Sequence, residues 1–412
     1  MSKKNNGKIK IIIGLDIGTT KISTLAGKVD GDSIDILGVG DYASYGMNRG
    51  AIVNMNATIS SIKESIKNAE DIVGFEISSV FTGIAGGHIL SFNNKGFAEI
   101  KDREVTQADI QRALNAACEV TIPKDHEILR AITQQFLIDD QTKTQNPIGI
   151  CGNKLEASVH IILGATTSIQ NLIKCINQSQ LYVEDIILQP LASSLSVLTK
   201  DEMELGVTLI DIGGGTTDVA VFFENSVKHT SIIPVGGNQI TKDLAFGLKT
   251  TIEEAEKIKI KYGCTPNFSV LQNEEVEVLD IGGVGKSNYP RQYIYEIVGP
   301  RVEEMLLDIK KRILNSGYLE LMTAGVVITG GSALLGGLDK FAENILGIPV
   351  RIGYPRNVKS GHDLINHPKY STGVGLILHS LNQNGKEKPF YEERNLLKKI
   401  TLQIKRWFED IF

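Results

Sequence analysis

The densest concentration of potential chemistry in the 412-residue chain is the stretch Leu209-Ile210-Asp211-Ile212-Gly213-Gly214-Gly215-Thr216-Thr217-Asp218-Val219. An apolar run ends on the carboxylate of Asp211. Three glycines and two threonines follow, then Asp218 and a second apolar run. The pattern predicts strand, tight turn, strand. Consecutive glycines let backbone N–H groups approach an anion with no Cβ in the way, and threonine hydroxyls donate to phosphate oxygens. Asp211, at the mouth of the turn, is placed to hold Mg²⁺ through water, since that ion keeps several waters and takes few protein carboxylates. One such turn is equally an ordinary Gly-rich hairpin.

The same grammar recurs near the N-terminus in Ile11-Ile12-Ile13-Gly14-Leu15-Asp16-Ile17-Gly18-Thr19-Thr20-Lys21. Two related hairpins so far apart imply two similar α/β domains facing each other across a cleft. Both turns would hold phosphates, through Gly18, Thr19, Thr20 and Lys21 on one side and Gly213 to Asp218 on the other. Asp16 and Asp211 would position the metal. A third element, Val326 to Leu334, runs from a buried strand through Gly330-Gly331-Ser332, where flat backbone can border a planar base.

These three elements together resemble the nucleotide-binding parts of the actin superfamily. The resemblance implies ATP and Mg²⁺ as cofactors. It places Glu256 and Lys259 at ribose-contacting positions, the plain alternative being an i,i+3 surface pair. Gly236 and Gly237, in the turn after the second phosphate hairpin, join the binding set. Gln189 falls where actin orients the attacking water, next to Asp211 in the catalytic set. A neutral glutamine is a poor base, so hydrolysis is expected to be slow and switch-like.

Stepping outward, strands are expected at Lys8 to Leu15, Lys21 to Lys28, Ser33 to Gly40 and Val80 to Gly86, with a helix from Ala57 to Glu70. Between His88 and Leu163 the pattern changes: short strands at His88 to Phe92 and Phe97 to Ile100, a Thr-capped helix from Thr106, then Ile128 to Asp139 and Leu155 to Leu163. The expected architecture is α/β, an actin-like ATPase fold of two RNase H-like domains around a nucleotide cleft. The first domain takes 8–86 and 164–200, an inserted α+β subdomain 87–163, and the second domain 201–382 with an outer lobe near 236–315. The small residues of Gln189 to Ser196 and of Tyr370 to Leu376 predict two closely crossing helices at an interdomain hinge. Gly285-Lys286-Ser287 mimics the end of a P-loop, but the first glycine is missing at Asp280 and Pro290 blocks the required helix, so a hairpin loop is expected.

The net charge of −5 gives no reason to expect nucleic acid, and the four scattered cysteines read as free thiols. No apolar run approaches the roughly 20 residues of a membrane span, and Gly14 and Asp16 interrupt any signal-peptide core. After a polar linker, 383–393, the segment 394–412 places Leu396, Leu397, Ile400, Ile404, Trp407, Phe408 and Ile411 on one helical stripe flanked by Lys398, Lys399, Lys405 and Arg406. That is the composition of an interfacial membrane anchor.

The whole pattern, including Gly-Leu-Asp-Ile-Gly-Thr-Thr-Lys, Glu104-Val105-Thr106, Ile122-Pro123-Lys124-Asp125 and Leu155-Glu156-Ala157-Ser158-Val159-His160, resembles the bacterial cell-division family FtsA. Gly87 lengthens one turn, and Gln134 stands where proline is expected. The resemblance implies a protein that polymerises as actin-like filaments on the cytoplasmic face of the inner membrane at the division site. It would tether the tubulin-like protein FtsZ there and recruit later divisome proteins through 87–163. The FtsZ C-terminal peptide would dock near Tyr295 to Glu304, with Arg301 as partner for an acidic group. The competing readings are a pilus-assembly relative, which would lack the tail helix, and a small-molecule kinase, which would need a catalytic carboxylate beside a substrate pocket. A DnaK-type chaperone would need a substrate-binding domain after residue 382.

Overall fold

The computed structural model describes residues 10–30, 33–266, 274–283, 285–360 and 365–384. Residues 385–412, with most of the expected linker and the whole amphipathic segment, lie outside the described residues, as do Gly31 and Asp32 of the first expected hairpin turn.

The chain opens with β1 (Lys10–Ile17), β2 (Lys21–Asp30) and β3 (Ser33–Ala43), a small hairpin of β4 (Met47–Asn48) and β5 (Ala51–Ile52), then α1 (Met55–Val73) and β6 (Ser79–Ile84). An inserted module follows: β7 (Ile89–Glu99), α2 (Gln107–Cys118), β8 (His126–Ile138), β9 (Thr142–Thr144) and β10 (Lys154–Ala165). Next come α3 (Thr166–Gln178), β11 (Tyr182–Leu188), α4 (Gln189–Val197) and α5 (Lys200–Leu205). The second half runs β12 (Val207–Ile212), β13 (Thr217–Phe223), β14 (Ser226–Ile233), α6 (Gly237–Gly247), α7 (Ile252–Tyr262), β15 (Glu275–Leu279), β16 (Lys286–Pro290), α8 (Arg291–Ser316), β17 (Val326–Thr329), α9 (Leu338–Leu346) and β18 (Val350–Ile352). Finally β19 (Val358–Ser360) and α10 (Ser371–Asn384) return to the first sheet, β19 pairing with β3 and α10 packing over β1 and β2.

The two large sheets have the same wiring. One is ordered β11-β6-β1-β2-β3-β19, the other β14-β13-β12-β17-β18. Each starts as an antiparallel meander, β1-β2-β3 or β12-β13-β14, and adds parallel strands beside its first strand. Parallel strands carry helices on their faces, so their residues are apolar almost without interruption. β12 is buried along its entire length, as the run Val207 to Ile210 predicts. Local signals set the helix ends. Asn54 caps α1 and Gly74 closes it in the left-handed conformation, φ 76°. Thr106 and Asp109 form a reciprocal capping box on α2.

Several expected boundaries move. β1 extends to Ile17, so Asp16 stands inside the strand opposite Ser23 rather than beyond its end; Lys8 and Ile9 lie outside the described residues. The two short strands expected around Asn93-Asn94-Lys95 are one continuous strand, β7. Those asparagines resemble turn residues, but Asn94 donates to the Ala117 carbonyl at 2.7 Å and Asn93 to that of Lys228 at 2.9 Å. Gly96 lies flat on α2, where a Cβ would come within 2.1 Å of the Ala113 oxygen. α5, capped by Thr199 and Glu202, was not foreseen. α8 runs through Pro300 without breaking. After Gly330 the chain forms a short 3-10 turn, and α9 begins only at Leu338. The false P-loop is the β15–β16 hairpin, with Lys286 paired to Glu277 at 2.6 Å.

Candidate functional site

The two Gly-Thr turns are built alike and meet across a cleft of about 590 Å³. In the first, the Gly18 N–H donates to the Lys21 carbonyl at 3.0 Å; in the second, the Gly213 N–H donates to the Thr216 carbonyl at 2.9 Å. They interleave so closely that glycine is required. A Cβ on Gly214 would sit 1.8 Å from the Thr20 hydroxyl, and one on Gly215 would sit 2.4 Å from that of Thr19. Thr20 also donates to the Asn238 side chain of α6 at 3.1 Å, closing the ring from the second half of the chain.

Of the residues singled out from sequence, Asp16, Gly18, Thr19, Thr20, Lys21, Gln189, Asp211, Gly213, Gly214, Gly215, Thr216, Asp218, Glu256, Lys259, Gly330, Gly331 and Ser332 line this cleft. Thr217, Gly236 and Gly237 do not line it. Thr217 spends its hydroxyl on the Val235 carbonyl at 2.8 Å. Gly237 N–H donates to Gly213 O at 2.9 Å, bracing the second turn from behind. Gly330 has φ 90°, and a Cβ there would meet the Asp211 carboxylate at 2.4 Å, so this turn and the Asp211 side chain can approach only because residue 330 is glycine.

Three buried carboxylates converge. Asp16 is pushed up to about 6 by burial, with Asp211 adding to the rise and Lys21 opposing it. Asp211 is raised by burial and held back by hydrogen bonds from Ser193 at 2.6 Å and Thr372. Asp218 is raised well above the ordinary range by burial and by the charges of Asp211 and Asp16, and its Oδ1 is buried without a hydrogen-bond partner. Crowded acids with depressed ionisation and one orphaned oxygen fit a divalent cation, whose charge offsets all three. Among the described residues no three acidic, histidine or cysteine side chains are spaced to ligate a metal directly, so the fit is to an ion held through water.

The other candidate residues are already engaged. Gln189 donates to Asp16 Oδ1 at 3.2 Å. Lys259 bonds to Glu256 at 2.7 Å and to the Thr241 hydroxyl at 2.9 Å, the i,i+3 pair of the plainer reading, and both residues line the cleft. Arg301, on α8, pairs with Asp243 at 2.6 Å and with Glu304, outside the cleft.

Sequence reasoning saw Ser193 and Thr372 only as small residues for helix packing. The packing is real: α4 and α10 cross so tightly that a Cβ on Gly375 would lie 1.8 Å from the Ala192 oxygen. Both hydroxyls, 3.0 Å apart, also point at Asp211. The signal available was a polar residue in each half of the hinge pattern. Asp41 was missed altogether. It gathers Tyr370 at 2.7 Å, Lys369 at 3.2 Å and Lys21 at 3.8 Å, and so sets where the turn lysine lies.

Comparison with known proteins gives a consistent result. The family model "Cell division protein FtsA" matches residues 208–375, and "SHS2 domain inserted in FTSA" matches 86–163. Cell division protein FtsA of Pseudomonas aeruginosa is 41% identical over 98% of this chain and 98% of that protein. FtsA of Escherichia coli K12 is 36% identical over 97% and 96%. Among solved structures, the PilM-PilN type IV pilus biogenesis complex superposes with a TM-score of 0.64 at 13% identity, over 90% of this chain and 98% of that one. MreB5 of Spiroplasma citri bound to ADP gives 0.57 at 15% identity, over 91% and 98%. The structural likenesses establish the actin-like fold.

Proposed function

The chain belongs to the FtsA family of bacterial cell division proteins, and from that premise we propose that it binds ATP in the cleft and works as a nucleotide-switched membrane tether. The observation that carries the nucleotide reading is the pair of interleaved Gly-Thr turns beside three buried carboxylates. The turns offer backbone N–H groups and hydroxyls to phosphate oxygens. Gly330, Gly331 and Ser332 border the base, with Glu256 and Lys259 toward the ribose. Mg²⁺ would be held through water by Asp16 and Asp211 and supplies charge neutralisation of the phosphates. Gln189 and Asp218 are the residues available to a water attacking the terminal phosphate. Gln189 orients but cannot take a proton. Asp218, with its raised pKa and open Oδ1, is the better base. Turnover remains slow because the attacking water has no stronger activating group.

The rest of the reading concerns partners. The protein polymerises with itself and holds the FtsZ C-terminal peptide on the outer lobe, where Arg301 meets an acidic group of the peptide after leaving Asp243 and Glu304. The segment 394–412 lies on the inner membrane at the division site, each basic residue near anionic headgroups contributing about 1 kcal/mol. Polymerisation multiplies a weak single anchor into stable attachment. Among the described residues no helix is long and apolar enough to cross a membrane.

Sedimentation with anionic vesicles in Mg-ATP tests the tether. The full chain should carry FtsZ down with the vesicles, and a chain ending at Glu393 should leave it in solution. Equal vesicle binding by both chains would remove the membrane role from the tail.

A further inference from the structure

The inserted module is rooted in the first half of the molecule and bonded to the second. Its root is covalent at both ends and is reinforced by charge. Arg130 of β8 donates to Asp185 of β11 at 2.7 Å and to the Ile186 carbonyl at 3.1 Å, while His379 of α10 lies 3.1 Å from the same carboxylate. The module also meets the second half, through Lys143 and Gln145 on Glu224 in the turn before β14 and through β14 itself. As the outermost strand of its sheet, β14 has one edge without a strand partner among the described residues. Side chains of the module supply donors to it: Ser91 to the Thr230 carbonyl at 2.8 Å, Asn93 to that of Lys228 at 2.9 Å, and Gln134 to that of Val227 at 2.9 Å.

These donors are themselves wired together. Asn93 Oδ1 accepts from Gln134 at 3.1 Å and lies 2.7 Å from His160 Nδ1, whose other nitrogen is 2.9 Å from the Thr230 hydroxyl. His160 is 1% exposed and held down to about 3 by burial and by His229, so it stays neutral, and Asn93 fixes its proton on Nδ1. A fully connected buried polar network has one good geometry; displaced, it leaves unpaired groups behind. Gln134, the residue at odds with the expected proline, is one of its joints.

The far end of β14 is the cleft. Three residues beyond its end comes Gly236, then Gly237, tied to the second Gly-Thr turn, followed by Asn238, whose N–H donates to Gly214 O at 2.8 Å. One strand therefore joins the module to the phosphate-binding turns.

We propose that the inserted module is a strut across the two domains, so that nucleotide-driven movement of one domain against the other must shift the Ser91–Asn93–Gln134–His160 seam on β14 and thereby reposition the module. This rests on the cleft binding a nucleotide. Two packed arrangements on either side of such a seam would make the module's exposed surface a readout of the cleft's state.

Ser91→Cys with Thr230→Cys places two thiols across the seam, where the hydroxyls are 2.9 Å apart. The full chain, with Cys118 and Cys151 replaced by serine, would be titrated with Mg-ATP oxidised and reduced. The strut predicts that closing the disulfide changes affinity by about fivefold or more, reversed by reductant. In the unmodified chain, Mg-ATP should alter amide exchange in 89–95 and 226–233. Binding with equal affinity in both redox states, or unaltered exchange at the seam, overturns the strut and leaves the nucleotide reading standing. Absence of binding by the unmodified chain refutes both.

Discussion

At the residue scale, the cleft concentrates acids that oppose one another. Asp16 has its pKa raised from 3.8 to about 6, so between those values the folded chain holds a proton that the unfolded chain has released. The neutral acid's contribution is therefore present at low pH and is lost as pH rises through 6. At neutral pH the ionised carboxylate costs about 3 kcal/mol of stability as an upper figure. Asp16→Asn, which keeps an acceptor for Gln189, should raise the melting temperature at pH 7.5 and abolish the Mg²⁺ dependence of nucleotide binding. For the native chain, Mg-ATP affinity should weaken as pH falls below 6, as the carboxylate that serves the metal becomes protonated; a flat profile from pH 5 to 7.5 would remove Asp16 from the metal site. Asp218→Asn should lower ATP turnover by about 10²–10⁴-fold while leaving affinity within about threefold. A larger loss of binding than of rate would make Asp218 a binding residue only.

At the scale of elements, the two hairpins and the close crossing of α4 and α10 were legible because their chemistry is local. Gly18-Thr19-Thr20 and Gly213-Gly214-Gly215-Thr216 announce a turn by composition, and each element lies in one stretch of chain. The crossing was legible from Ala192, Ser193, Gly373 and Gly375, because helices can cross so closely only on small residues. Gly375→Ala, an addition that would favour an isolated helix, should instead destabilise the protein by about 1–3 kcal/mol through its clash with the Ala192 carbonyl, read as a lowered melting temperature. An unchanged or raised melting temperature would mean that the crossing can relax. What the sequence hid is what only tertiary contact decides. Asn93 and Asn94 looked like a turn and belong to a strand, since the groups that use their amides lie 23 and 135 positions away. Asp41 lies outside the Gly-Thr turns and acquires its role only when β3 sets it opposite Ser23 and the turn before α10 brings Lys369 and Tyr370 beside it.

For the molecule as a whole, one wiring used twice yields a cleft whose walls belong to different halves of the chain. The acids sit at the junction: Asp16 on β1, Asp211 and Asp218 on β12 and β13, with Ser193 and Thr372 reaching in from the crossed helices α4 and α10. Any force that changes the angle between the halves changes the distances within this cluster, and the proposed nucleotide switch would act through that coupling. The most direct test is calorimetric titration of the full chain with ATP, with Mg²⁺ and with EDTA, beside the Asp211→Asn variant. The account predicts tight binding in Mg²⁺ that falls by about tenfold or more in the variant, with little difference between the two proteins in EDTA. Unchanged affinity of Asp211→Asn in Mg²⁺ would contradict it.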